Sequence, residues 1–161
     1  MKTLIVYFSL NGNTETVVNA VAPALGADVL KLVPEKVYPD KGFKKFLVGG
    51  GDVVTKRRPK LEPYSADLSR FDRIVFASPV WASNFTPPVG TFIEENRGAL
   101  QGKRFACVFC HAGGGTEKAI SRLKAALGVD AFDAELSLID PKTRPNEENE
   151  KLTADFCAAL A

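Results

Sequence analysis

The residues best suited to chemistry fall in three short stretches, and the first is Ser9-Leu10-Asn11-Gly12-Asn13-Thr14, between an apolar run and a helical pattern. Gly12 permits close backbone approach, and the Ser9 and Thr14 hydroxyls and the Asn11 and Asn13 amides can donate to anionic oxygens. A helix N-terminus adds partial positive charge, so the stretch reads as a cradle for a phosphate. It contains no Lys or Arg, which leaves neutral donors to hold the anion. The same residues also suit a plain helix cap after a polar turn. Competing phosphate motifs are absent: no G-x-x-x-x-G-K-[ST] for nucleoside triphosphate hydrolysis and no G-x-G-x-x-G after this run. No cysteine opens the loop, as a thiolate phosphatase would need, and no Asp pair ends the strand, as a receiver domain would need.

The second stretch, Ser78-Pro79-Val80-Trp81-Ala82-Ser83-Asn84-Phe85-Thr86-Pro87-Pro88, carries the only tryptophan of the chain. An aromatic in a loop suits stacking on a flat ring, while folding back over the core is its other reading. The third, Cys110-His111-Ala112-Gly113-Gly114-Gly115-Thr116, has three consecutive glycines whose peptides can approach a ligand. His111 is the only histidine; alone it is weak ground for a metal site, and a redox or proton role beside a ring is one of its readings. Cys107 and Cys110 match C-x-x-C, but on a strand residues three apart face opposite sides, which argues against a redox dithiol or a zinc knuckle. Cys107 is then core filler and Cys110 edges the site.

These stretches need elements to position them. Short β-branched runs alternate with helical patterns, the mark of a parallel sheet built from βαβ units. The strands expected are residues 3–8, 28–33, 73–77, 104–110 and a weaker one over 131–139. A helix from Thr14 presents Val17, Val18, Val21 and Leu25 on one face, with Pro23 predicted to kink or shorten it before Gly26. Pro87 and Pro88 open a second with Val89, Phe92 and Ile93 inward and Gly98 as its stop. Thr116 opens a third with Ala119, Ile120, Leu123 and Leu127 inward, up to Gly128. Asn146 caps the last, which is expected to bury Leu152, Phe156 and Leu160. In such sheets ligands bind at the carboxyl ends of the strands, where all three stretches lie. Residues 34–67 form a long connection with four prolines (Pro34, Pro39, Pro59, Pro63), Gly49-Gly50-Gly51 and one expected short helix over 42–48.

With 161 residues the chain suits a single domain, 1–161, able to bury a core without staples. Apolar residues make up 45% and charged residues 25%, which excludes disorder and collagen-like repeats. A formal charge of +2 gives no ground for nucleic-acid binding. The run Leu4 to Phe8 is too short for a signal-peptide core, and no stretch reaches the roughly 20 apolar residues of a membrane span. Three cysteines, an odd and sparse set, point to a reducing compartment, so a cytoplasmic location without membrane contact is expected. The charge is local: Lys41, Lys44, Lys45, Lys56, Arg57, Arg58 and Lys60 face only Asp40 and Asp52 between positions 40 and 60. This segment is a candidate dock for an acidic redox partner, and equally a solvated loop.

Taken in order, the three stretches resemble the flavodoxin family. Tyr7-Phe8-Ser9-Leu10-Asn11-Gly12-Asn13-Thr14-Glu15 is similar to its phosphate loop. Ser78-Pro79-Val80-Trp81, with Pro87-Pro88, is similar to its first ring-binding loop, and Cys110 to Thr116 to its second. The long connection with Leu61-Glu62-Pro63 before the third strand is similar to a branch described as flavodoxin-like proteins. The resemblance implies a flavodoxin-like three-layer α/β sandwich with a five-stranded parallel sheet in order 2-1-3-4-5, and FMN as cofactor. The residues it implies for FMN are Ser9, Leu10, Asn11, Gly12, Asn13, Thr14, Ser78, Pro79, Val80, Trp81, Ala82, Cys110, His111, Gly113 and Gly114, with no metal. It implies electron transfer between partner proteins, the alternative being an FMN-dependent NAD(P)H:quinone reductase. Two departures bear on that choice: the second ring-binding loop has no aromatic but His111, and the chain is not acidic. Neither ring-binding loop holds Asp or Glu. A unit charge ~6 Å away at dielectric ~20 is worth roughly 2 to 3 kcal/mol, about 100 mV per electron. The second reduction of the flavin is therefore expected to be easier than in an acidic flavodoxin.

Overall fold

The computed structural model describes residues 1–38, 51 and 58–161. Strands that are apolar at nearly every position can be covered on both faces, and three are used that way. β1 (Thr3–Tyr7), β3 (Arg73–Pro79) and β4 (Arg104–His111) are buried almost throughout, while β2 (Asp28–Lys31) and β5 (Glu135–Ile139) form partly exposed edges. Every pairing is parallel, as the βαβ pattern predicts, and the order is β2-β1-β3-β4-β5, the one the resemblance implies. Four helices are described: α1 (Asn13–Leu25), α2 (Pro87–Glu95), α3 (Glu117–Leu127) and α4 (Glu147–Leu160). One core layer joins Phe76, Phe92, Phe105, Phe109 and Leu123 on the face covered by α2 and α3. The other joins Ile5, Val17, Val21, Val75, Leu138 and Phe156 beneath α1 and α4. Cys107 belongs to the first layer and Cys110 to the second, as strand alternation requires.

Several boundaries differ from expectation for local reasons. Pro23 does not cut α1 short: it lies in the last turn, where its missing N–H leaves few carbonyls without a partner. Gly26 at φ 57 then closes the helix, with the Ala27 N–H on the Ala22 carbonyl at 2.9 Å. α2 ends at Glu95 rather than Gly98, where Asn96 leaves helical geometry at φ −113 and turns its side-chain amide onto the Phe92 carbonyl at 2.9 Å. Leu152 is 39% exposed, against expectation. The buried stripe of α4 runs Asn149, Phe156, Leu160, and position 152 lies about 60° off it at 100° per residue. β5 begins at Glu135 rather than 131, because the approach is committed to Asp133, whose carboxylate receives the Arg73 and Arg104 Nε atoms at 3.1 and 2.9 Å.

The two ends of the long connection pair with each other: the Glu35 N–H reaches the Lys60 carbonyl at 2.9 Å and the Glu62 N–H the Val33 carbonyl at 2.7 Å, around an antiparallel Pro34–Leu61 bridge. The helix expected over 42–48 lies outside the described residues. Among the described residues no helix is long and apolar enough to cross a membrane.

Candidate functional site

A cavity of about 380 Å³ opens at the carboxyl ends of the central strands, within the range of small-ligand sites. Ser9, Leu10, Asn11, Asn13 and Thr14 line one side, Pro79, Val80, Trp81 and Ala82 another, and Cys110, His111 and Ala112 a third. The three stretches separated in sequence are therefore brought together. Four of the expected residues do not line it. Gly12 shapes the loop from behind at φ 86. Ser78 is buried at its root, its Oγ accepting the Thr86 N–H at 3.1 Å, and Gly113 and Gly114 stand exposed on the rim.

At the phosphate loop, α1 starts from Gly12 without any side-chain cap, so neither Asn13 nor Thr14 is a plain helix cap. The N-terminal N–H groups of α1 lack intrahelical partners, and only that of Glu15 is met by a side chain, the Ser9 Oγ at 3.3 Å. The Thr14 hydroxyl is the telling atom: the residue is 0% exposed, and its Oγ1 is the one buried side-chain polar atom without a hydrogen bond among the described residues. Its neighbour is the Cys110 thiol, a weak hydrogen-bonding group. A buried orphan oxygen is costly unless a ligand meets it. No cation lies within the loop itself, but Lys142, from the segment after β5, places its Nζ 3.2 Å from the Asn11 carbonyl.

Trp81 fulfils both readings. It packs edge-on against Phe8 and Tyr38, at 5.5 and 5.1 Å between ring centroids, and it lines the cavity. Its loop is a tight hairpin in which Trp81 and Asn84 exchange backbone hydrogen bonds of 2.9 Å, with Ala82 and Ser83 at φ 47 and 58. Two adjacent left-handed residues that are not glycine store strain, held here by the Arg122 Nη1 on the Ser83 and Ala82 carbonyls at 3.0 and 3.3 Å. Ser83→Gly is expected to raise stability by about 0.5–1 kcal/mol. A rise in the urea midpoint would show it, and a fall would mean that the turn is not strained.

His111 organises the glycine loop. Its Nδ1 accepts the Gly113 and Gly115 N–H groups at 3.1 and 3.3 Å. Two backbone donors on one nitrogen leave the proton on Nε2, which donates to the Ser137 Oγ at 3.1 Å. Thr116 donates to the same Ser137 oxygen at 3.0 Å. With both nitrogens engaged, His111 serves as a loop anchor.

Burial holds the Cys107 and Cys110 thiols in their protonated form. Burial pushes Cys110 up to about 12, the Thr14 hydroxyl offsetting a part and the Asp140 carboxylate adding to it. Burial raises Cys107 further, and Cys157 as well. An acid whose folded pKa lies above its unfolded value contributes in full below the unfolded pKa, so stability is lost as pH rises from about 9 towards 12. Urea unfolding at about pH 7 and about pH 10.5 tests this; equal stability at both would mean that the thiols ionise in the folded protein.

Asp140 was missed by the three-loop reading. It ends β5 at φ 40, lines the cavity, and donates its N–H to the His111 carbonyl at 3.0 Å. The signal was available, because Asp140-Pro141 follows the fifth strand as the other stretches follow theirs. It brings a carboxylate that neither ring-binding loop supplies, with the Arg144 Nε 3.7 Å away. Of the basic segment, Lys41, Lys44, Lys45, Lys56 and Arg57 lie outside the described residues. Arg58 and Lys60 are paired within the chain, to Glu94 at 2.6 Å and Glu35 at 3.2 Å.

A flat ring bearing a phosphate fits these residues: an orphaned hydroxyl and a left-handed glycine at one end, an aromatic wall and an open glycine loop at the other. Residues 1–142 match the profile of a family described as NADPH-dependent FMN reductase. Among solved structures, a Bacteroides eggerthii protein assigned as a flavoprotein aligns with a TM-score of 0.75 at 21% identity, covering 98% of each chain. A Lactobacillus acidophilus flavoprotein in complex with FMN aligns at 0.72 and 20%, covering 87% of this chain and 93% of that one. Oxidised flavodoxin 1 from Bacillus cereus aligns at 0.60 and 16%, covering 99% and 97%. At these identities the structural likeness shows a common flavodoxin-like fold.

Proposed function

The chain belongs to the NADPH-dependent FMN reductase family, and from that premise we propose that it is an oxidoreductase moving electrons from a reduced nicotinamide nucleotide to a small acceptor of the quinone or flavin class. Its cofactor is FMN. Bound there, FMN would supply two-electron chemistry, taking a hydride from the nicotinamide and passing two electrons, with protons, to the acceptor. The chain's own part is to hold and expose it. In this proposal Ser9, Asn11, Asn13, Thr14 and the start of α1 take the phosphate, Trp81 walls the ring, and the His111-anchored glycine loop lines its other side.

One observation carries the choice of reductase: the loop Cys110 to Thr116 offers no aromatic cover except His111, and both nitrogens of that ring are bound to protein. An uncovered ring face admits a nicotinamide and then an acceptor. Steady-state oxidation of NADPH and NADH by the FMN-loaded protein, with a benzoquinone or free FMN as acceptor, is the test. Turnover of about 1 s⁻¹ or faster supports the reading. Much slower turnover, with reduction resolved into two separate one-electron steps, supports the carrier of flavodoxin type instead.

The carrier reading keeps its own proposal, that an acidic redox partner docks on the 40–60 segment. Reduction rates by candidate partners should then fall with salt and with charge reversal at Lys56, Arg57 and Arg58; insensitivity to both would end it. The described residues leave Cys107, Cys110 and Cys157 as free thiols, which suits a reducing compartment such as the cytoplasm.

A further inference from the structure

Lys142 stands in an unusual relation to the phosphate loop, 129 positions distant in sequence from Asn13. Its backbone N–H donates to the Asn13 Oδ1 at 2.9 Å, which leaves the amide end of Asn13 as the free donor. Its Nζ donates to the Asn11 carbonyl at 3.2 Å. A Cβ on Gly12 would lie 2.7 Å from that Nζ, so the ammonium occupies the space that the glycine leaves beside the loop.

The carboxylates nearby are already engaged. Glu15 receives Lys31 at 2.7 Å and the Tyr7 hydroxyl at 2.8 Å, which together hold its carboxyl below the usual range. Asp140 has Arg144 at 3.7 Å. Among the described residues no carboxylate forms an ion pair with Lys142. A cation that forms no ion pair, its nearest carboxylate Glu15 being already bound by Lys31 and Tyr7, thus sits against a loop whose helix carries no side-chain cap and whose Thr14 hydroxyl is buried without a hydrogen bond. All three features lack the same thing, a dianion.

We propose that Lys142 is a phosphate-recognition residue supplied from outside the loop, making this site select FMN over riboflavin by charge as well as by neutral hydrogen bonds. The proposal rests on FMN lying with its phosphate in the Ser9–Thr14 loop. The second attachment, through Asn13, ties the β5–α4 segment to the same loop, so Lys142 reaches the phosphate while its backbone fixes one of the loop's donors.

The test is titration of the apoprotein with FMN and with riboflavin at low and high salt, for the native chain, Lys142→Gln and Lys142→Arg. Lys142→Gln is expected to weaken FMN about tenfold and to flatten the salt dependence of its binding, because a charge-assisted contact is lost. Riboflavin binding should be unchanged, and Lys142→Arg should keep most of the preference. The backbone bond to Asn13 survives both changes, so the variants retain the loop. Equal losses of FMN and riboflavin would overturn the proposal in favour of a purely structural lysine, as would an unchanged FMN affinity. A native chain that binds riboflavin as tightly as FMN would overturn instead the placement of the phosphate, and the proposal with it.

Discussion

Thr14→Val is expected to weaken FMN binding by roughly 10- to 100-fold while leaving the apoprotein as stable as before, or more stable by about 1 kcal/mol. The two effects have opposite signs because the Thr14 hydroxyl has no neighbour in the protein stronger than the Cys110 thiol. Removing an unpaired buried hydroxyl relieves a desolvation cost, and valine keeps the β-branched shape. Toward a phosphate the same hydroxyl makes a charge-assisted hydrogen bond, of about 1.5–3 kcal/mol. Flavin-fluorescence titration with FMN and riboflavin, beside urea unfolding of the apoprotein, reads both. Riboflavin should be insensitive. A loss of apoprotein stability would show that the hydroxyl has a structural partner and is not kept for a ligand.

The largest stability effect is expected far from the site. Arg73 is 5% exposed, with its Nε on Asp133 at 3.1 Å and its Nη1 on the Leu160 carbonyl at 2.6 Å. It neutralises a largely buried carboxylate and caps the C-terminal end of α4, where carbonyls lack helical partners. Arg73→Met keeps the bulk but strips both bonds, and about 3 kcal/mol should be lost, the low end for a broken buried pair because Arg104 still reaches Asp133. Arg104→Met, whose side chain is 55% exposed, should cost no more than about 1 kcal/mol. Urea unfolding of the two variants side by side decides it. Equal losses would mean that the burial of Arg73 adds nothing to its pairing. Against a typical total of about 5–15 kcal/mol, the Arg73 loss alone would be visible as a large shift in midpoint.

Arg73 also shows where a sequence stops being readable. At the head of a strand it looks like an ordinary surface charge, and nothing in its neighbours announces a partner 60 positions away and another at 87. Leu152 errs in the other direction: its hydrophobicity suggested burial, but the face of α4 is set by what lies beneath it. Asp140 and Lys142 follow the same rule. Their place just after the fifth strand is legible, but only the placement of β5 beside β4 brings Asp140 to the cavity and Lys142 to the Asn11 carbonyl.

The local sequence determined the rest. Continuous apolar runs bounded by Gly, Pro and capping residues specify buried parallel strands and the helices between them, because period and turn chemistry are properties of neighbouring residues. The loops Ser9–Thr14, Ser78–Ala82 and Cys110–Gly114 declare themselves for the same reason, their glycines, amides and lone tryptophan each standing just after a strand. What only the tertiary structure decided is which atoms are satisfied and which are not. Thr14 is an orphan, His111 is a tied anchor, and a lysine from the far end of the chain lies against the phosphate loop. The His111 bonds to Gly113 and Gly115 are local, but those that tie it to Ser137, Arg73 to Asp133 and Lys142 to Asn11 span 26 to 131 positions, and no window of sequence contains both members of such a pair.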